Sequence, residues 1–233
     1  MRQLFPELVD PVDPAAVYSD WPVAAGRPPV RLNMIASVDG ATTMAGVAGG
    51  LGGPADRALF GLLRRLADVI LVAAGTVRAE RYGPSSVPIA VVSRSCQFDF
   101  HAPFFTAQKA RPIVVTVTDA PVERVVRAAE LAEVVVAGDH DVDLAVALTA
   151  LQSMGHRTVL TEGGPTMNAQ LVAAGLLDEL CLTVSPRMVG GDAKRILAGP
   201  VLTPAAELRL HSICEEDGFL FLRYRTGERD GEG

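Results

Sequence analysis

The sequence has no long apolar run, no surplus of base and little cysteine. No stretch approaches the roughly 18 apolar residues of a membrane span. The opening Met1-Arg2-Gln3-Leu4-Phe5-Pro6-Glu7 lacks the apolar core of a secretory leader. The formal net charge of −6 over 233 residues argues against non-specific nucleic-acid binding, which needs a basic face. Cys96, Cys181 and Cys214 are few, odd in number and widely spaced. They form no metal pattern and suggest a reduced, cytoplasmic protein whose thiols are buried as small hydrophobes. His101, His140, His156 and His211 show no ligand spacing, so no metal is expected and each reads as a surface or loop residue. No internal repeat is visible. A Gly-x-Gly-x-x-Gly after the first strand is missing, which excludes the Rossmann fingerprint. No Gly-Lys-Ser/Thr is present, which excludes a P-loop.

What remains is a chain that is 49% apolar, enough for a full core in one large domain. Residues 1–29 are rich in Pro and Asp and read as an irregular arm, pinned to the body by Tyr18 and Trp21. Residues 30–226 read as one domain, and 227–233 as a disordered tail. Val30–Ser37 reads as a buried strand. Thr42–Gly53 follows as a loop holding Gly46, Gly49, Gly50, Gly52 and Gly53, either ligand-covering or merely flexible.

Pro54 opens a helix with Leu59, Leu62, Leu63 and Leu66 at helical spacing. Strands are expected at 68–73, 88–92, 112–117, 133–137 and 157–161. The helices between them include one after Pro121, with Val122, Val125, Val126 and Ala129 inward, and one over 143–154. A last helix over 165–174 ends at Gly175, and residues 96–110 read as loop. The tail changes character. Glu179–Ser185 alternates as a strand, 186–200 is a Gly-rich excursion, and 207–214 and 219–225 pair as a hairpin around Glu215-Glu216-Asp217-Gly218. The expected fold is α/β: a mixed, mostly parallel sheet flanked by helices, with a C-terminal antiparallel hairpin.

The most informative segment runs Thr158-Val159-Leu160-Thr161-Glu162-Gly163-Gly164-Pro165-Thr166-Met167-Asn168. A β-branched run leads to a carboxylate, paired glycines, and a helix with Pro165 at its first position. Glycines permit close approach of a ligand, and the first helical turn offers free N–H groups and a partial positive charge to a phosphate. The alternative is a tight strand-to-helix connection with no ligand.

In such sheets ligands sit beyond the carboxyl ends of the strands. Ser37-Val38-Asp39-Gly40, Ala74-Gly75-Thr76, Ser93-Arg94-Ser95 and Glu162-Gly163-Gly164 all meet that rule. Arg94, flanked by hydroxyls, suits the 2′-phosphate that distinguishes NADP from NAD, or is simply an exposed loop residue. Ala74-Gly75-Thr76 is a ligand contact or a turn. Asp39 orients or protonates a substrate, or holds a turn. Glu162 accepts from a ring amine or supplies a proton, or caps the following helix. Arg64 and Arg65 are an anion anchor or solvated surface.

Taken together the pieces resemble the riboflavin-biosynthesis pyrimidine reductase family, the C-terminal half of the bifunctional deaminase/reductase. The resemblance rests on Met34–Gly40, Leu63-Arg64-Arg65-Leu66-Ala67-Asp68, Gly75–Glu80, Leu160–Asn168, Gly175–Leu180 and Ser185–Gly191, in the right order along about residues 30–225. It implies a dihydrofolate-reductase-like fold and NADPH bound across the strand ends. The family's reaction reduces the ribosyl group of 5-amino-6-(5-phosphoribosylamino)uracil. By that resemblance Ala36, Thr76, Glu80 and Ser93 look like cofactor contacts, beside Arg94 read above. Gly163, Gly164, Pro165, Thr166, Met167 and Asn168 look like the pyrophosphate loop. Asn33, Arg64 and Glu162 belong to the substrate side, and the candidate proton sources are Glu162, Asp39 or an ordered water. The family usually has Lys where this chain has Asn33, and a Ser-x-Trp-like segment where this chain has Gly49-Gly50-Leu51. No His-x-Glu or Pro-Cys-x-x-Cys occurs, so no zinc deaminase half is expected. The chain is similar to a stand-alone, actinobacterial-type branch. The alternatives are a pteridine reductase and a non-catalytic NADPH-binding protein. The expected partners are a small heterocycle and a second copy of the chain, with neither nucleic acid nor membrane.

Overall fold

The computed structural model describes residues 1–44 and 46–227; most of the tail expected at 227–233 lies outside the described residues. Ten strands form one sheet in the order β1-β9-β10-β8-β2-β7-β3-β4-β5-β6. The block from β8 (Glu179–Ser185) through β2 (Val30–Ser37), β7 (Val159–Thr161), β3 (Val69–Ala73), β4 (Ile89–Val92) and β5 (Ile113–Thr116) to β6 (Glu133–Val136) is parallel throughout. Both faces of this block are covered, which is why β3 reads Val-Ile-Leu-Val-Ala with no polar face.

The remaining strands, β10 (Phe219–Arg225), β9 (Arg209–Glu216) and β1 (Arg2–Phe5), are antiparallel. The β9–β10 turn is two residues, Asp217 and Gly218, both with positive φ (53° and 79°), as a type I′ hairpin requires. The strand therefore runs two residues further than the sequence pattern suggests.

One face of the sheet carries α2 (Pro54–Arg65), α3 (Ala74–Ala79) and α5 (Val122–Leu131); the other carries α6 (Leu144–Ser153) and α7 (Pro165–Ala173). In α2, Pro54 opens the helix, Asp56 sits in the first turn, and Arg64 and Arg65 in the last, the polarity the helix dipole favours. Leu59 and Leu63, four apart, are buried and contribute roughly 1.5–3 kcal/mol each. Asp143 caps α6 by accepting from the N–H groups of Ala145 and Val146 at 2.8 and 3.1 Å. The α5 stripe differs from expectation. Val122 and Val126 are exposed, and Ala128 faces inward with Val125 and Leu131 beside the core. The valine spacing there fits two faces, and the tertiary packing selects the other.

Two further readings are corrected. Residues 74–79 are a helix rather than a turn, and the 96–110 segment contains α4 (Pro103–Thr106). The first 29 residues are not irregular throughout, because they hold β1 and α1 (Pro14–Tyr18). Tyr18 does pin this arm, through a charge cluster no sequence pattern announces. Arg31, Glu179 and Arg223 are fully buried on adjacent strands. Glu179 pairs with Arg31 at 2.5 Å and with Arg223 at 2.7 Å. The guanidinium groups donate onward to main-chain carbonyls of Val17, Tyr18 and Asp20, and Arg31 stacks on Trp21 at 4.1 Å. The three cysteines are free and buried, as expected. Among the described residues, no helix is long and apolar enough to cross a membrane, and no group of His, Cys, Asp and Glu is arranged to hold a metal ion.

Candidate active site

The ends of β2, β7 and β3 are neighbours in the sheet, so the turns that follow them open onto one side. Beyond them lies a cleft of about 770 Å³. Its walls are β2, α2, α3 and the β7–α7 turn, closed over by the 42–53 loop and by residues 192–194. The Gly-rich loop is tied down where the Ala48 N–H donates to Glu80 Oε1 at 2.8 Å.

The β7–α7 turn forms one end. Gly163 takes φ 86° and the Gly163–Gly164 peptide is cis. Gly164 is the N-cap of α7, and no side chain caps this helix. Its first-turn N–H groups therefore lack intrahelical acceptors. Gly164 and Pro165 line the cleft, as do Gly75 and Thr76 from the start of α3. A Cβ at Gly75 would meet nothing within 4 Å, so the main chain there is open to close approach. An uncapped helix start beside bare main chain fits the diphosphate of a dinucleotide.

Arg64 and Glu162 form the other end. Arg64 Nε and Nη2 each donate to a Glu162 oxygen at 2.7 Å. The guanidinium lies 4.3 Å from the Phe60 ring and 5.1 Å from the Tyr82 ring, and the Tyr82 hydroxyl donates to Glu162 Oε2. Burial opposes the Arg64 charge, yet Glu162 outweighs it and raises the guanidinium pKa. Burial is also what lifts the Tyr82 phenol well above its usual range. Glu162 is thus an acceptor held by a cation and a phenol. Phe60 and Tyr82 were not singled out in the sequence. Helical spacing from Arg64 back to Phe60 was the available signal; nothing local marks Tyr82.

Asn33, Arg64, Thr76, Glu80, Glu162, Gly164 and Pro165 all line this cleft; Asp39, Ala36, Ser93 and Arg94 do not. Asp39 is committed elsewhere. It accepts from Ser37 Oγ at 2.5 Å, from Gly190 N–H at 2.7 Å and from Val189 N–H at 3.1 Å. These bonds, Ser37 first, lower its carboxyl to about 2, and those from Val189 and Gly190 make Asp39 a clamp on the 186–200 loop. Ala36 is buried in β2. Ser93 and Arg94 follow β4, one strand beyond the cleft, and Arg94 is exposed and paired with Asp141 at 2.8 Å. In α7 only the start faces the cleft. Thr166 is exposed, Met167 is in the core, and the buried Asn168 amide donates to the Ile196 carbonyl at 2.8 Å.

Residues 28–218 match the model of the RibD C-terminal domain. The chain is 34% identical over 193 residues to the 2,5-diamino-6-ribosylamino-4(3H)-pyrimidinone 5′-phosphate reductase of Methanothermobacter thermautotrophicus, covering 78% of this chain and 88% of that one. The crystal structure of a pyrimidine reductase-like protein from Corynebacterium diphtheriae superposes with a TM-score of 0.80 at 26% identity, over 93% of this chain and 99% of that one. Dihydrofolate reductase from Enterococcus faecalis shares the fold alone, with a TM-score of 0.51 at 11% identity over 86% of this chain and 97% of that one.

Proposed function

The chain belongs to the RibD C-terminal domain family, and on that premise we propose that it is an NADPH-dependent reductase of riboflavin biosynthesis acting on a phosphoribosylamino-pyrimidine. The observation that carries this is a cleft with an uncapped helix start and a ring-sandwiched Arg64–Glu162 pair in its walls. When bound, the nicotinamide supplies a hydride.

The chain's own part is position and charge. Gly164, Pro165 and the first-turn N–H groups of α7 hold the diphosphate, with Thr76 and Glu80 alongside. Glu162 has four lone-pair sites; Arg64 and Tyr82 take three, leaving one to accept from a ring amine. The resemblance expects a lysine at Asn33 to hold the sugar phosphate. Arg57, Arg81 and Lys194 also line the cleft and supply cationic charge in its place, which favours the phosphorylated substrate over a pteridine. Ser93 and Arg94 lie one strand further out, and Arg94 would be the residue to hold a 2′-phosphate. An exposed pair such as Arg94–Asp141 is worth about 0–1 kcal/mol, so its guanidinium exchanges readily to a phosphate.

A homodimer is part of this reading. The C-terminal hairpin offers no free edge for pairing, because β1 covers β9 and the sheet ends at β1 and β6. The self-association surface is instead the partly open apolar face of the antiparallel strands, around Leu220.

Calorimetry with NADPH and NADH, followed by mixing with the diamino-pyrimidinone phosphate or its deaminated uracil counterpart, tests the proposal. Preferential NADPH binding and turnover of one pyrimidine is expected, with Arg94→Ala losing about tenfold in NADPH affinity and little in NADH. Binding without turnover of either pyrimidine contradicts it.

A further inference from the structure

Reduction of a carbon–nitrogen double bond requires a hydride at carbon and a proton at nitrogen. Glu162 is gripped by Arg64 and Tyr82, and Asp39 lies outside the cleft, so the proton source is sought among all the carboxylates of the cleft. Four carboxylates line the cleft: Asp56, Glu80, Glu162 and Asp192. Glu162 is ion-paired, Glu80 accepts from the Ala48 N–H, and Asp192 is exposed to solvent. Asp56 is different: half-buried in the first turn of α2, it has the Gly52 main chain packed on Oδ2 and the Thr183 hydroxyl beside it.

We propose that Asp56 is the residue that donates the proton in this reduction, with Thr183 of β8 positioning it. This rests on the reductase reading. In the ring-opened substrate, C1′ is joined to the amino nitrogen by a double bond. As C1′ receives the hydride from reduced nicotinamide, the π pair moves onto nitrogen, which takes the proton from the Asp56 carboxyl. Asp56 is left as a carboxylate and recovers its proton from water. The balance is one hydride and one proton for each C1′–N bond reduced.

The surroundings suit an acid that holds its proton. The 42–53 loop packs main chain on it: a Cβ at Gly52 would stand 2.7 Å from Asp56 Oδ2. From β8 comes the Thr183 hydroxyl, and from its own helix Arg57. The other charges around the cleft are the Arg64–Glu162 pair, Glu80 with Arg81, and Asp192 with Lys194. Burial raises the Asp56 carboxyl above its usual range and outweighs the pull of Thr183 and Arg57 toward the anion. The competing role for an acid in a first helical turn is to complement the helix dipole. That role stabilises the fold and leaves the pH profile of catalysis unmoved.

The test has two arms. In the ligand-free protein, carbon NMR of labelled aspartate should show one carboxyl, absent in Asp56→Asn, that titrates above the others and moves higher still in Thr183→Val. In turnover, Asp56→Asn should lower kcat at least about 100-fold, the low end for a general acid, with NADPH affinity unchanged. The wild-type kcat should fall as pH rises through the Asp56 pKa, and Thr183→Val should move that fall to higher pH. If Asp56→Asn does not fold, Asp56→Glu and Thr183→Val carry the test through the pH profile. The inference is overturned if folded Asp56→Asn keeps kcat within about threefold of wild type, or if the carboxyl titrates in the ordinary range. Absence of wild-type turnover on either pyrimidine, with NADPH bound, would instead count against the reductase reading itself.

Discussion

Arg64 and Glu162, 98 residues apart in sequence, meet as a two-pronged ion pair with both N–O distances at 2.7 Å. The pair joins the last turn of α2 to the β7–α7 turn. Glu162 is the deeper partner, its side chain 3% exposed against 23% for Arg64. Removing the cation therefore strands a buried carboxylate. Arg64→Ala should destabilise the fold by about 3 kcal/mol and lower kcat/KM about 100-fold. Arg64→Lys keeps the charge but loses the fork and the ring sandwich, and should fall between. Urea unfolding and steady-state kinetics check both.

Gly75 separates folding from binding. It sits in α3 with open space where a side chain would stand. Gly75→Ala should hold or raise the melting temperature of the ligand-free protein, since Ala favours helix over Gly by about 0.5–1 kcal/mol. The new methyl should enter the cleft and weaken NADPH about tenfold. Thermal unfolding with and without NADPH reads both effects from one sample.

The buried charge cluster should set the acid limit of stability. Burial pushes the Glu179 carboxyl up, but Arg31 and Arg223 outweigh it and hold it below its usual range. The same holds for Asp20, with Arg223 the chief opposing charge. Both folded values lie below the unfolded ones, about 4.3 and 3.9. Their stabilisation is thus fully present above those values and is lost as pH falls through the folded pKa. The unfolding free energy should decline below about pH 4. Glu179→Gln, which leaves buried guanidinium groups without an anion, should cost about 3–5 kcal/mol at neutral pH and flatten the acid decline. Urea unfolding across pH measures this.

Asp39 provides the contrast to a proton donor. It clamps the main chain of Val189 and Gly190, in the loop that brings Asp192 and Lys194 to the cleft. Asp39→Ala should raise KM for the pyrimidine by about threefold to tenfold and leave the pH dependence of kcat in place. A shifted pH profile would contradict the clamp.

Much of the parallel sheet was legible because buried parallel strands read as continuous apolar runs. The strand-end rule found Glu162, Gly164 and Thr76 for the same reason, since all follow such runs. Arg64 was read from the helix as an anion anchor or a solvated residue, and the family resemblance put it and Asn33 on the substrate side. What stayed hidden depends on tertiary packing. Tyr82 reaches Glu162 across 80 residues. Asp56 looks like an ordinary first-turn acid until β8 and the 42–53 loop close over it. Arg31, Glu179 and Arg223 sit in apolar strands where a single charge reads as an exception. The readings of Asp39 stayed open because a carboxylate in a turn looks the same in sequence whether it faces a ligand or the next loop's amides.

The central claim is that this cleft reduces a phosphoribosylamino-pyrimidine with NADPH. Rapid mixing of the protein and NADPH with 2,5-diamino-6-ribosylamino-4(3H)-pyrimidinone 5′-phosphate or its deaminated counterpart, followed by the loss of nicotinamide absorbance, tests it most directly. Stoichiometric oxidation of NADPH with one of the two, with a ribityl product and slowed by Arg64→Ala, is the predicted result. Saturating NADPH binding with no absorbance change on either pyrimidine would contradict it.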